Sequence, residues 1–185
     1  MMDAITALHT RVSVSRVTEP GPDEATLDNI CRAALRAADH AMLRPWRFLR
    51  LQGDARERLG ELFALAQRHD DPHVEPRILD DARSKALRAP LIVVGIVSPK
   101  DHPNVPVAEQ HLSAGAAMQN MLVAAHAQNV GAIWRTGAMA THPVVTEGLG
   151  LTGDEQIIGF LYLGTISGPV RPLPDETLDD YFQDW

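Results

Sequence analysis

Leu91-Ile92-Val93-Val94-Gly95-Ile96-Val97 is apolar at every position. A strand with one wet face alternates apolar and polar residues, so an unbroken run marks a strand buried on both faces at the centre of a sheet. Ala89-Pro90 introduces this run, and a loop from Pro99 to Pro106 follows it. Downstream, Ile157 to Gly164 reads as a second buried strand, and Gly131-Ala132-Ile133-Trp134-Arg135 as a short one that ends at Thr136-Gly137. A long helix is predicted over 108–128. Its residues from Ala114 to Ala125 are apolar nearly all round, so it must be buried on most sides. In a chain of 185 residues, a partner subunit is a natural way to bury it. Pro143 opens another helix, to Leu149.

Upstream of the central run the chain is mostly helical. Residues 2–10 read as a short helix, Pro20-Gly21-Pro22 as a turn, and Asp23 as an N-cap. Leu27 through Ile30, Cys31, Ala34 and Leu35 to Ala38 keep helical spacing. Pro45 breaks the pattern, and Trp46 to Leu51 reads as a strand. Helices follow over about 55–68 and 77–88, separated by a polar loop. From Pro169 the remainder is an extended arm, 170–185, ending in Tyr181, Phe182 and Trp185. Helices first, then strands separated by helices, predict an α+β fold with a mixed β-sheet flanked by helices, in one domain over 1–185.

A hydrophobic fraction of 45% and a charged fraction of 22% are ordinary for a soluble protein. No apolar run is long enough to span a bilayer, so no membrane role is expected. Met1-Met2-Asp3-Ala4-Ile5 lacks the basic and apolar regions of a signal peptide, and a cytoplasmic setting is expected. The formal net charge is -7, yet residues 1–50 hold seven arginines against six acids. An acidic chain without a basic stripe is a poor nucleic-acid binder, and its local arginines suit a small anionic ligand.

Arg11-Val12-Ser13-Val14-Ser15-Arg16 places two guanidinium groups and two hydroxyls in six residues. Such donors hold phosphate because they offer several hydrogen bonds at fixed angles. Read alone, the stretch is also compatible with a solvated turn. Arg36 and His40 are four apart and share a face if the helix before Pro45 extends that far. Trp134-Arg135-Thr136-Gly137 closes a strand, where an aromatic can cover a flat ring and an arginine can meet phosphate or a carbonyl. Gly148-Leu149-Gly150-Leu151-Thr152-Gly153 has the G-x-G-x-x-G spelling. A helix precedes it and a strand follows, the reverse of a dinucleotide loop, so it reads as a helix C-cap and turn. No metal site is expected, because Glu109 and His111 point to different helix faces and H-E-x-x-H is absent. Acyl transfer lacks a G-x-S-x-G. Cys31 reads as a small core residue.

Three windows together resemble the nitroreductase family of flavin enzymes, in its short single-domain form: Arg11 to Arg16, Ala33 to Trp46, and Ala125 to Gly137. Weaker likeness continues from Ala89 and over Ile157 to Thr165. The resemblance implies an intertwined homodimer with FMN at the subunit interface. It also implies NADH or NADPH as hydride donor and a nitroaromatic, quinone or similar acceptor, in a ping-pong cycle. By position, Arg11, Val12, Ser13 and Ser15 would bind the ribityl phosphate; Arg36, His40 and Met42 would reach FMN from the other subunit; Trp134, Arg135 and Thr136 would line the flavin. No side-chain nucleophile is implied, since the flavin carries the redox step. Val12 stands where the family has a basic or polar residue and can offer only its backbone N–H. Ser15 replaces a lysine, Ala38 a frequent proline, and Arg44 the usual amide before Pro-Trp. Two other readings remain compatible with the same residues: a flavin-binding dimer without turnover, and a small-anion-binding dimer without flavin.

Overall fold

A computed structural model describes residues 2–185; Met1 lies outside the described residues. Five strands form the sheet: β1 (Val17–Thr18), β2 (Trp46–Gln52), β3 (Leu91–Val97), β4 (Gly131–Arg135) and β5 (Gln156–Ile166). All seven residues of β3 are buried. Ile92, Val94 and Ile96 enter one apolar layer and Leu91 and Val93 the other, as a strand covered on both faces requires. The first layer is roofed by α3 (Asp54–Asp70), α4 (Pro76–Ala86), α6 (Ala138–Thr141) and α7 (Pro143–Gly148). The second is roofed by α2 (Glu24–Ala34) and α5 (Val107–Ala127), with α1 (Ala4–Thr10) also packed on α5. No helix among the described residues is long and apolar enough to cross a membrane.

The expected mixed sheet is corrected: every recorded strand pair is antiparallel. The reason lies in β5. Both β3 and β4 pair with Phe160–Leu163 of β5, so they occupy its opposite edges. They run the same way and are joined by α5, which is the geometry of a parallel crossover, but β5 inserts between them. Between β2 and β3 the chain makes two helical passes, α3 and α4, and so returns antiparallel. The two helices approach closely at Gly60, where a Cβ would lie 2.8 Å from the Arg83 carbonyl oxygen.

Local chemistry sets the boundaries. Asp3 and Asp23 cap α1 and α2, accepting from the amides of Ile5 and Thr6 and of Thr26. The helix expected to run to Ala38 stops at Ala34. Leu35, Arg36 and Ala37 turn their amides back to the carbonyls of Arg32, Ala33 and Ala34, which ends the α-helical ladder. Arg36 and His40 therefore do not share a helix face. A 3-10 turn over His40–Met42 follows, with Ala41, Met42 and Arg44 at φ of 60°, 52° and 49°. The glycine stretch 148–153 behaves as expected. It closes α7, with Gly150 and Gly153 in the left-handed region. Arg47 on β2 pins it, donating to Gly150 O and, through two 2.7 Å bonds, to both carboxylate oxygens of Glu155. Residues β1, α6 and a 3-10 turn at Leu178–Asp180 are too short to show in the sequence pattern. The arm is exposed from Gly168 to Trp185.

Candidate functional site

The Arg11–Ser15 segment leaves α1 and runs beside β4, because the Val14 amide donates to Ala132 O at 2.8 Å and the Val14 side chain is buried. Two of the sequence windows are thereby brought together. Nη1 of Arg11 is buried and has no hydrogen-bond partner among the described residues. A buried unpaired donor is costly, so a cation held this way marks a place for an anion. His126 supports the same reading. Its Nε2 lies 2.9 Å from Thr10 Oγ1, and burial, with the nearby Arg11 charge, lowers its pKa. Burial is the larger cause, and the Arg11 charge adds to it. Ser13 is half-buried and Ser15 exposed, while Val12 lines a small apolar recess with Val14, Leu122 and His126. Arg16 contributes its carbonyl to Ser167 N.

Along β4 the side chains alternate across the sheet. Trp134 turns toward α5. Its indole N–H donates to Ile158 O at 3.0 Å, and its ring lies across Gly159 of β5. Gly159 sits at φ 153°, and the register against β3 slips next to it, leaving Ile158 as the extra residue of a bulge. A Cβ at Gly159 would fall 2.0 Å from Trp134 Nε1. The indole is thus fixed by a glycine and a bulge carbonyl. Arg135 turns the other way, with its guanidinium carbon 5.8 Å from the Tyr162 ring centroid. The side chains of Trp134 and Arg135 therefore leave the strand on opposite faces.

On the Arg135 side opens a cavity of about 560 Å³ whose lining includes Thr136, Phe63, Tyr162 and three cations, Lys85, Arg88 and Arg135. No carboxylate lines it among the described residues. The size and the aromatic wall suit a flat ligand, and the cations suit electron-rich oxygens at its edge. Lys85 and Arg88 were not singled out in the sequence. The available signal was a pair of bases spaced i, i+3 at the end of an amphipathic helix, just before the central strand.

The third window is placed elsewhere in the chain. Three α5 side chains hold it: Ser113 Oγ donates to Ala38 O at 2.6 Å, Asn120 donates to Ala33 O at 3.1 Å, and Glu109 lies 2.8 Å from His40 Nδ1. This leaves Nε2 of His40 without a partner among the described residues. Arg36 and Met42 are exposed, Met42 to 78%. Arg36 lines different cavities from Trp134, Arg135 and Thr136. Within one chain the site is therefore split into two parts.

A separate cluster of His69, Asp70 and His142 has its ligand atoms within 4.8 Å of one another. Its chemistry is that of a helix cap. His142 Nδ1 accepts from Val144 N, which leaves its proton on Nε2, donated to Asp70 Oδ1 at 3.1 Å. Neither ring nitrogen has a free lone pair for a metal, and this hydrogen bond holds the Asp70 carboxyl below its ordinary pKa.

Residues 8–165 match the sequence profile of the Nitroreductase family. The chain is 42% identical over 167 residues to the Escherichia coli (strain K12) protein named "Putative NAD(P)H nitroreductase YdjA", covering 89% of this chain and 88% of that one. Among solved structures it superposes on a nitroreductase-like family protein from Bacillus cereus with a TM-score of 0.82 at 21% identity, covering 100% and 97% of the two chains. It also superposes on a variant of the FMN and NADPH-dependent nitroreductase NfnB of sphigopyxis sp. strain HMH, with a TM-score of 0.77 at 18% identity over 100% and 99%.

Proposed function

The chain belongs to the nitroreductase family, and from that premise we propose that it is an FMN-dependent oxidoreductase. It takes hydride from NADH or NADPH and passes it to a nitroaromatic, quinone or similar small acceptor, donor and acceptor using one site in turn. The observation that carries the proposal is the buried, unpartnered Nη1 of Arg11 beside β4. FMN supplies a phosphate dianion for such a nitrogen and a flat ring with polar edges. When bound, it accepts hydride and releases it again.

The residues fit that cofactor. Arg11 and Ser13 would hold the phosphate with side-chain donors, Val12 with its amide, and Ser15 from the exposed rim. Thr136 and the backbone of Trp134–Arg135 would run along the ring. Lys85, Arg88 and Arg135 supply a positive potential that would suit the carbonyl oxygens at the ring edge, in a cavity walled by aromatic side chains. The bulge at Ile158–Gly159 keeps β4 rigid behind it. Arg36 lines different cavities from Arg135 and Thr136, and we assign Arg36, His40 and Met42 to the flavin held by a second subunit. The positive-φ turn at Ala41–Arg44 supports a functional role, since left-handed backbone at non-glycine residues is kept where the surroundings enforce it. A homodimer follows, with the single domain 1–185 in each subunit and the arm 170–185 reaching across.

Purification tests this directly. The protein is expected to be yellow or to gain a flavin spectrum with added FMN, and to bleach with NADH or NADPH without oxygen. A colourless protein that takes up no FMN overturns the proposal. One that binds FMN but resists both donors is a flavin-binding protein without turnover.

A further inference from the structure

At the C-terminal end of α2 lies a second cavity, about 460 Å³, lined by Arg32, Leu35, Arg36, Arg44 and Trp46. Three guanidinium groups converge there on an exposed leucine and a half-buried tryptophan, with no carboxylate in the lining. Arg32 is paired with Asp28. The guanidinium groups of Arg36 and Arg44 make no ion pair or hydrogen bond among the described residues. The nearby Asp39 carboxylate is engaged by the backbone amide of Arg44 at 2.6 Å. A helix C-terminus ordinarily repels anions. Here its carbonyls are occupied: those of Arg32, Ala33 and Ala34 accept from the next turn, and Ala33 also accepts from Asn120. Arg44 holds its place in left-handed backbone, at φ 49°.

We propose that this pocket binds an anionic group carried on an aromatic body. Arg32 and Arg44 fork the anion, while Trp46 and Leu35 cover the flat part and Arg36 stays with the flavin. The chemistry is shared by two sources, the 2′-phosphate on the adenosine of NADPH and the carboxylate of an aromatic acceptor. The inference rests on the flavin reading, because Arg36 is the residue assigned to the flavin of the other subunit. The pocket would then adjoin the place where donor and acceptor meet the ring.

The experiment compares matched pairs on the FMN-loaded full chain: NADPH against NADH in anaerobic bleaching, and 4-nitrobenzoate against nitrobenzene in reoxidation. The wild type is expected to prefer the member carrying the extra anionic group, NADPH or 4-nitrobenzoate, in at least one pair, and that pair names the source. Arg44→Glu and Arg32→Glu should each lower kcat/KM for that member by about tenfold, through KM, and change its mate lacking the extra anionic group by less than about twofold. Arg44→Gln, which keeps a neutral polar side chain, should show a smaller loss in the same direction. Equilibrium dialysis of 2′-AMP and of 4-nitrobenzoate against the chain as purified reads the pocket without turnover. Binding is expected for one of them and is lost in Arg44→Glu. If neither ratio moves and neither probe binds, the pocket is not a ligand site. If the chain takes up no flavin, the enzymatic reading fails by itself, and the dialysis still decides the pocket.

Discussion

At Arg11 a guanidinium nitrogen is buried beside β4 without a partner, and an unsatisfied buried donor costs about 1–3 kcal/mol. A phosphate oxygen would repay that cost on binding, so Arg11→Ala is expected to raise the FMN dissociation constant about tenfold or more. Flavin fluorescence titration checks this, and an unchanged constant removes Arg11 from the phosphate site. Arg11 and Ser13 were legible in the sequence because their chemistry is local: donors of one kind crowded into six residues. Lys85 and Arg88 were not, because only the return of β5 between β3 and β4 carries their helix end to the Trp134–Thr136 turn. The opposite placement of the Trp134 and Arg135 side chains has a simpler reason. Neighbours along a strand point to opposite faces, so adjacency in sequence is separation in space.

The bulge of β5 and the ion pair behind the glycine stretch carry their own predictions at the level of elements. Gly159→Ala drives a methyl into the Trp134 indole at a φ that side chains rarely adopt, and is expected to cost about 3 kcal/mol, read from the urea midpoint. Glu155 is held down to about 2, from an ordinary value of 4.5, chiefly by its hydrogen bonds from Arg47. The folded carboxyl is more acidic than the unfolded one. Its stabilising effect is therefore complete above about pH 4.5 and lost as pH falls toward about 2. Glu155→Gln should lower stability at neutral pH by about 1–2 kcal/mol and flatten the fall in Tm over that acid window. A Tm profile as steep as that of the wild type would show that Arg47–Glu155 does not govern it. The strands β2, β3, β4 and β5 were legible because burial on one or two faces writes itself into the pattern. The end of α2 was not, because residues 35–38 keep helical spacing while the amides of Leu35, Arg36 and Ala37 turn back into a tighter ladder.

For the whole molecule, α5 leaves apolar surface outside the core, which the second subunit we propose would cover. Leu112 is 74% exposed, and Ile5 and Leu8 of α1 are each more than half exposed. The sequence showed that α5 lacked a polar face; it did not show which residues the sheet would leave uncovered. Leu112→Glu is expected to shift the protein to a monomer on gel filtration and to weaken FMN retention about tenfold or more, since the site would lose Arg36, His40 and Met42. A monomer that keeps its flavin would place the whole site within one chain. The position of β5 has a further consequence, for synthesis. The strand on which β1, β3 and β4 all pair is also the last strand made. Until Ile166 has left the ribosome the other strands have no common template, and the apolar runs on β3 and α5 must wait uncovered. Helix pairs such as α3 and α4 can form early, but the sheet closes only when nearly the entire polypeptide is free. The nascent chain is therefore exposed to off-pathway association until β5 emerges.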